Sequence, residues 1–461
     1  MFDVGLRTDN GSYPFARHLP VFNWYYPFES ETTRVPSFLA ALEDVDWPLM
    51  RRRSVYFHVP FCDTVCTFCP FTKGRYTSDS TVEDYVRALV REVQLKQPYV
   101  GNLKVDSISV GGGTPSVLTP SQIEVLGDCI HTYFETSDVS EFSIEIEVKS
   151  VTREKLLAFK QIGVNRISFG VQTFSERYRP AFRLDAEIAQ ILRVAEWTNE
   201  LFPYTNIDMI YGIAGQRVED VIRDADSAIQ LATTTIDFYM LNNLAAQAKM
   251  HRSLNDQGLQ RPTAAERLEQ RRQLAQHMVS RGYARINGYS YAVKRGAKEE
   301  LIQPTPRFLY HDILYGYHDD VVVGYGASAL TRVHGYNFQN ISGRQEYSSW
   351  LRGRSILPSI AYRVGDCTEK GVVGFPFRGA LVKSRIPWAT VPQDTLDRLD
   401  QLIRAGLVTE HPDTFGLTET GWLFYVNLMY FLMPKHSQLW LSDEVAARIA
   451  AGHECENTEL S

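Results

Sequence analysis

The chain has no apolar run approaching the roughly 20 residues that a membrane-spanning helix needs. Its opening, MFDVGLRTDN, also lacks the basic-then-apolar layout of a secretion signal. These absences predict a cytoplasmic protein with no membrane partner. Basic residues are not in excess: 48 Lys and Arg stand against 54 Asp and Glu, and the two signs interleave along the whole length. Without a basic stripe to neutralise phosphates, nucleic acid is a poor partner. Cysteine is scarce, six in 461 residues, which is too few for a disulfide framework. No sequence repeat of fixed period and no low-complexity tract breaks the pattern.

What is present is enough apolar residue, 44%, to bury a full core, in a length that suggests more than one folding unit. From Ser54 to Asn243 short β-branched runs alternate with helical-period segments such as TVEDYVRALVREVQLK and TREKLLAFKQI. Six strands are predicted: 54–59, 106–111, 142–148, 165–171, 206–212 and 236–242. The fold class expected is α/β, successive βα units around a parallel sheet. Residues 1–50, rich in Pro and aromatics, read as a cover segment that serves as a packing arm or as part of a substrate lid. Residues 51–245 read as the barrel core and 246–355 as a substrate-side extension. In 356–461, LDRLDQLIRAGLV is an amphipathic helix followed by a short hairpin and further helix, a mostly helical, winged-helix-like domain.

Directly after the first strand comes HVPFCDTVCTFCPF, which places Cys62, Cys66 and Cys69 in one loop with the spacing CxxxCxxC. A four-iron four-sulfur cluster normally takes four cysteines, so three leave one iron open to a non-protein ligand. A structural zinc would need a fourth ligand and is usually held by CxxC pairs. His58 is close by, yet reads as a packing or hydrogen-bonding histidine. Cys129, Cys367 and Cys455 are isolated and read as buried or incidental thiols.

In sheets of this kind chemistry gathers at the carboxyl ends of the strands. Strand two ends in GGGTP (111–115), whose bare backbone can approach a ligand closely. On strand three, period-two alternation puts Ser143, Glu145 and Glu147 on the inner face, where two acids call for a polar or cationic partner. Strand four delivers Gln172, with Arg183 just beyond as the nearest counter-charge. Strand five carries Asp208 inside an apolar run, and strand six ends at Asn242 and Asn243. VVVGYGASAL (321–330) is a further strand ending in small residues. No residue is assigned a catalytic proton-transfer role.

Taken in order, YFHVPFCDTVCTFC, VGGGTPSVL, FSIEIEV, NRISFGVQTF and NIDMIYG resemble the oxygen-independent coproporphyrinogen oxidase (HemN-like) family of radical S-adenosylmethionine (SAM) proteins, over roughly 54–330. The resemblance implies a partial (β/α)6 barrel, a [4Fe-4S] cluster on Cys62, Cys66 and Cys69, and SAM bound to the open iron, with a second SAM in many members. By motif position it implies SAM contacts from Tyr56, Phe68, Gly112, Gly113, Thr114, Glu145, Gln172, Arg183 and Asp208, and second-SAM contacts near Gly113, Asn242 and Leu330. It also implies a reductant such as flavodoxin or ferredoxin, and a monomer is expected. Members that decarboxylate coproporphyrinogen are expected to carry another cysteine two places after the third. Here that position is Phe71, and Glu147 is an extra acid. The favoured expectation is therefore a class C radical SAM methyltransferase or cyclopropanase. Its acceptor would be an unsaturated small molecule, free or bound to a carrier protein. Aromatic stretches such as NWYYPF and RFLYHDILYGY would form the acceptor wall. The alternatives are a tetrapyrrole enzyme, for which Arg17, Arg34 and Arg51 to Arg53 would meet the acidic substrate, and a haem chaperone without radical turnover.

Overall fold

The computed structural model describes residues 5–7, 12–19, 26–27, 38–241, 248–295, 300–301, 308–353, 356, 358–450 and 459–460. Asn242, Asn243, Arg34 and Cys455 lie outside them. All six expected strands form: β1 (Arg52–Val59), β2 (Ser107–Gly112), β3 (Glu141–Ile146), β4 (Arg166–Gln172), β5 (Tyr204–Tyr211) and β6 (Thr235–Met240). They lie side by side in chain order, each parallel to the next. Parallel neighbours need a long crossover. Helices α1 (Asp79–Val100), α2 (Pro120–Tyr133), α3 (Arg153–Gln161), α4 (Ile188–Leu201) and α5 (Val218–Gln230) fill the connections.

Local sequence explains where several of these helices start. Ser78, Thr119 and Thr152 each accept a hydrogen bond from the backbone N–H three residues on, and Gln122 completes a capping box with Thr119. The faces of the strands divide by composition. Val55, Phe57, Ile108, Val110, Phe142, Ile144, Ile167, Phe169, Ile207, Met209 and Ile236 are buried in one core. Tyr56, Glu145, Ser168 and Asp208 occupy alternate positions on the other side of the sheet and keep partial exposure.

The run at 321–330 contributes β9 (Asp320–Tyr325), which pairs parallel with β1 on the side away from β2. Beyond β9 the sheet turns antiparallel through β10 (Leu330–Val333), β11 (Gly335–Asn340) and β12 (Pro358–Gly365). At the other end, β7 (Tyr283–Arg285) and β8 (Ser290–Arg295) extend β6 in antiparallel fashion. The result is a mixed α/β sheet in the form of a partial barrel. Between β8 and β9 comes α6 (Leu309–Leu314), and after β11 comes α7 (Arg344–Arg352).

The C-terminal region builds a separate hydrophobic core. It contains α8 (Lys370–Arg378), β13 (Ala380–Val382), α9 (Gln393–Arg404), the hairpin β14 (Val408–Glu410) with β15 (Thr414–Leu417), and α10 (Tyr425–Leu432). β13 joins the hairpin to make a three-stranded antiparallel sheet, in keeping with a winged-helix-like helical region. The described part of the N-terminal segment packs onto this unit: Phe15 and Leu19 enter its core, and Leu19 N donates to Asn427 Oδ1 at 3.0 Å. Among the described residues, no helix is long and apolar enough to cross a membrane.

Candidate active site

The cysteine loop is clipped at its stem and pinned at its tip. After β1, Phe61 and Cys62 pair in parallel with Gly74 and Arg75, and Gly74 N donates to Pro60 O at 2.9 Å. Lys73 Nζ donates to the carbonyls of Cys69 and Phe71 at 2.6 and 3.1 Å. At the tip Thr67 Oγ1 donates to Ala181 O at 2.7 Å, and the Phe68 ring tilts against Phe182 with centroids 5.3 Å apart. Both contacts reach the short helix that follows β4. The loop is thereby held above the carboxyl ends of β1 to β4.

Cys62 is buried, while Cys66 and Cys69 are partly exposed. Burial pushes the Cys62 thiol up to about 11 and that of Cys66 up to about 12, with the neighbouring thiols adding to both shifts. Thr114, buried beside Cys62, pulls the other way by hydrogen bonding. Among the described residues, no group of three His, Cys, Asp or Glu side chains converges on a single ion. A four-iron cluster takes each thiolate on a different iron, so three thiols in one loop fit three of its four irons. Glu147 Oε2 is also buried beside this loop with no hydrogen-bond partner, and burial, reinforced by Asp63, pushes its carboxyl up to about 7.

Glu147 is not on the inner face of a strand. Its backbone N–H is taken by Ser116 Oγ at 3.0 Å, so β3 ends at Ile146 and Glu147 turns toward the cysteine loop. Glu145 does face inward, accepting from Gly112 N at 3.2 Å. The glycine run also differs from expectation, because its N–H groups are already used within the protein. Gly113 N donates to Val59 O at 2.9 Å, and a Cβ there would meet the backbone of Phe61 and Val59 at 2.6–2.7 Å. A Cβ on Gly112, whose φ is +104°, would lie 2.4 Å from the His58 ring. The glycines let β2 press against the stem of the cysteine loop.

His58 bonds Thr72 O through Nε2 and Tyr56 OH through Nδ1, both at 3.0 Å. Burial pushes its pKa down to about 4, so it is a neutral hydrogen-bonding histidine. Tyr56 stacks on Tyr310, with centroids 5.0 Å apart. Gln172 ends β4 with φ +68°, past a bulge, and its amide folds over Gly170, where a Cβ would meet Nε2 at 2.2 Å. Leu330 lies against Gly324, the β9 partner of Tyr56. Arg183 takes the left-handed C-cap of the short helix after β4 and is exposed.

The counter-charge inside the barrel is Arg166 instead. It is 2% exposed at the start of β4, 4.0 Å from Glu141, and donates to Thr235 Oγ1 at 3.1 Å. Facing it are two aspartates on adjacent strands at paired positions, Asp208 and Asp237. Asp208 accepts from Asn206 Nδ2 at 2.9 Å and Ser168 Oγ at 3.4 Å. Burial, then Asp237 and Glu145, hold its carboxyl well above the usual range. Asp237 accepts from Tyr239 OH at 3.3 Å. Tyr239 packs on Tyr289 with centroids 4.4 Å apart, and Tyr289 OH bonds His311 Nδ1 at 2.6 Å. Burial and Arg166 push His311 down to about 3.

Sequence reasoning missed Arg166, Asp237, Tyr239 and Tyr289. For Arg166, Asp237 and Tyr239 the signal was a charge or phenol within an otherwise apolar strand, the same signal that marked Asp208, whereas Tyr289 lies in the bend before β8 and carried no such signal. The stretch RFLYHDILYGY does reach this wall through Tyr310, His311 and Tyr315, the last stacked on Phe377 at 4.1 Å. Of NWYYPF only Tyr26 and Pro27 are among the described residues, and Tyr26 OH is bonded to Glu369, away from this wall.

Residues 56–228 match the protein-family model for the radical SAM superfamily. Over that stretch the chain is similar to radical SAM proteins, and its relatives are HemN-like. It is 24% identical over 395 residues to the oxygen-independent coproporphyrinogen III oxidase of Salmonella typhimurium, covering 82% of this chain and 84% of that one. It is 28% identical over 376 residues to the anaerobic coproporphyrinogen III oxidase 1 of Cereibacter sphaeroides, covering 74% and 81%. The heme chaperone HemW of Bacillus subtilis matches at 31% over 191 residues, 41% of this chain and 50% of that one. Among solved structures, the coproporphyrinogen III oxidase HemN of Escherichia coli shares the fold with a TM-score of 0.74 at 22% identity, covering 88% of this chain and 96% of that one. Radical SAM proteins use a [4Fe-4S] cluster and SAM.

Proposed function

We propose that this HemN-like protein transfers a SAM-derived carbon, as a methyl group or a cyclopropane, to an sp2 carbon of a small or carrier-bound substrate without clustered negative charge. Cys62, Cys66 and Cys69 would hold the cluster, with an external reductant such as flavodoxin or ferredoxin feeding it. When bound, cluster and SAM would supply a 5'-deoxyadenosyl radical. The chain's own part is electrostatic and steric. Glu145 and Asp208 would supply negative charge and acceptors to a sulfonium and to ribose hydroxyls, Gln172 and Tyr56 would flank them, and a second SAM would lie toward Gly113 and Leu330. The aromatic wall of Tyr239, Tyr289, Tyr310 and Tyr315 would exclude water, which protects a radical from quenching.

The observation that carries this reading is the sign of the charge inside the barrel. Glu145, Asp208 and Asp237 line it, and the nearby buried cation, Arg166, already faces Glu141. Of the arginines expected to meet an acidic tetrapyrrole, Arg17, Arg52 and Arg53 are among the described residues engaged elsewhere. Arg17 pairs with Glu459, Arg52 with Asp312 and Asp320 at the amino end of the sheet, and Arg53 donates to Trp47 O. The names of the relatives favour the second reading, oxidative decarboxylation of coproporphyrinogen. Phe71 in place of a further cysteine weighs against it. Anaerobic incubation of reconstituted protein with methyl-deuterated SAM separates the two: deuterium is expected to appear in 5'-deoxyadenosine. Its absence would remove carbon transfer while leaving SAM cleavage intact. Tight haem binding without any cleavage would instead point to a chaperone.

The buried acids also set a pH dependence. Burial raises Glu145 and Asp208, so each titrates above the ordinary carboxylate range and attracts a cation only once ionised. A raised folded-state pKa means that protein stability without ligand falls as pH rises through it. SAM affinity should move the opposite way and strengthen over the same interval. Asp208→Asn should weaken equilibrium SAM binding about tenfold or more and flatten its pH profile. An unchanged profile would show that Asp208 does not face the cofactor.

A further inference from the structure

Beneath Asp208 lies a row of side chains that the strand pairing brings together. Ser168 on β4 is paired with Asn206 on β5, and Asn206 with Thr235 on β6, one row nearer the amino ends than Asp208. Asn206 is 1% exposed. A buried amide needs partners for its N–H donors and for its carbonyl oxygen. Asn206 finds them all here: Nδ2 donates to Ser168 Oγ and to Asp208 Oδ1, both at 2.9 Å, and Oδ1 accepts from Thr235 Oγ1 at 2.7 Å.

The direction of this chain of bonds is fixed from its far end. Arg166 Nη2 donates to Thr235 Oγ1 at 3.1 Å. A guanidinium has only donors, so the Thr235 hydroxyl accepts there and turns its own proton away. Asn206 Oδ1 takes that proton at 2.7 Å, with Thr205 O, at 3.3 Å, as the longer alternative. The oxygen of the Asn206 amide therefore faces Thr235, and its N–H groups face Ser168 and Asp208. Ser168 Oγ adds a second donor to the same carboxylate oxygen at 3.4 Å. Among the described residues, no donor reaches Asp208 Oδ2. The charged and titratable groups around this carboxylate are Glu145 on β3, Arg166 on β4, and Asp237 and Tyr239 on β6. The two acids push its ionisation up, and the Asn206 amide pulls it down.

From this arrangement we infer that Asn206 is the positioning residue for Asp208: it holds one carboxylate oxygen and so aims the other at the cofactor. The inference rests on the proposed reading of Asp208 as a SAM contact. A double-mutant cycle tests it, read by calorimetric titration of SAM into anaerobically reconstituted protein over a pH series, with Tm recorded for each variant. Asn206→Leu keeps the bulk of the side chain and removes its donors. It should weaken SAM binding about fivefold. It should also move the rise of affinity to higher pH, because ionised Asp208 loses a hydrogen bond. In the Asp208→Asn background the same change should cost SAM binding nothing further, since no carboxylate is left to aim. Thr235→Val releases the amide oxygen and leaves Asn206 in place; it should act in the same direction with a smaller effect, and it serves where Asn206→Leu folds poorly. Equal losses in the two backgrounds, or an unshifted pH profile in both Asn206→Leu and Thr235→Val, would overturn the inference while leaving Asp208 as a SAM contact. Unchanged SAM binding in Asp208→Asn alone would remove that reading, and this inference with it.

Discussion

Single replacement of Cys62, Cys66 or Cys69 by alanine is expected to reduce iron and sulfide content after anaerobic reconstitution and to bring 5'-deoxyadenosine formation to background. The same change at Cys129 or Cys367 should leave both intact. The contrast follows from position. The first three share a loop clipped by Phe61–Cys62 against Gly74–Arg75, whereas Cys129 is buried within α2 and Cys367 lies just before α8. Each missing thiolate would leave a second iron without a protein ligand. Without metal the buried thiols are protonated, because their pKa values are pushed up to about 11 and 12, so cluster assembly must also release protons. Retention of a normal cluster and turnover in all three variants would defeat the assignment of this loop.

The largest stability effect is expected at Glu92. Its fully buried carboxylate on α1 accepts from Gly326 N at 2.7 Å, Asn340 Nδ2 at 2.8 Å and Tyr347 OH at 2.6 Å, and pairs with the buried Lys96 Nζ at 2.6 Å. It therefore ties α1 to the loop after β9, to β11 and to α7. Glu92→Ala strands Lys96 without its counter-charge and takes the carboxylate acceptor from Gly326 N and Tyr347 OH, while Asn340 Nδ2 keeps the Gly326 carbonyl at 2.8 Å, a loss of about 3–5 kcal/mol. Lys96→Met should cost clearly less, because Glu92 keeps three neutral donors. Chemical denaturation of the two variants checks the asymmetry, and equal losses would mean that the ion pair alone matters. Function should follow stability here. Gly326 packs so closely on His58 that a Cβ would lie 2.5 Å from the His58 carbonyl, so loosening Glu92 disturbs the strand that leads into the cysteine loop.

Much of the frame was legible because it depends on neighbours in the chain. Period-two runs such as FSIEIEV and helical-period runs such as TREKLLAFKQI specify their elements locally, and β1 to β6 pair in the order in which they occur. The cysteine spacing is local too, which is why the loop could be located without knowing the fold. Where local reasoning failed, a partner distant in sequence had intervened. Glu147 seemed to continue strand three until Ser116 claimed its N–H. The glycines of GGGTP seemed open to a ligand until Val59 and Glu145 claimed theirs.

By itself, then, the sequence determined the six βα units, the three-cysteine loop and the inward position of Glu145, since spacing and alternation are properties of consecutive residues. Tertiary structure alone decided that β9 lies beside β1, that Arg166 and not Arg183 faces the buried acids, and that Asp237 stands next to Asp208. The reason is register: which side chains meet across neighbouring strands depends on pairing between segments far apart in the chain, and no local period encodes it.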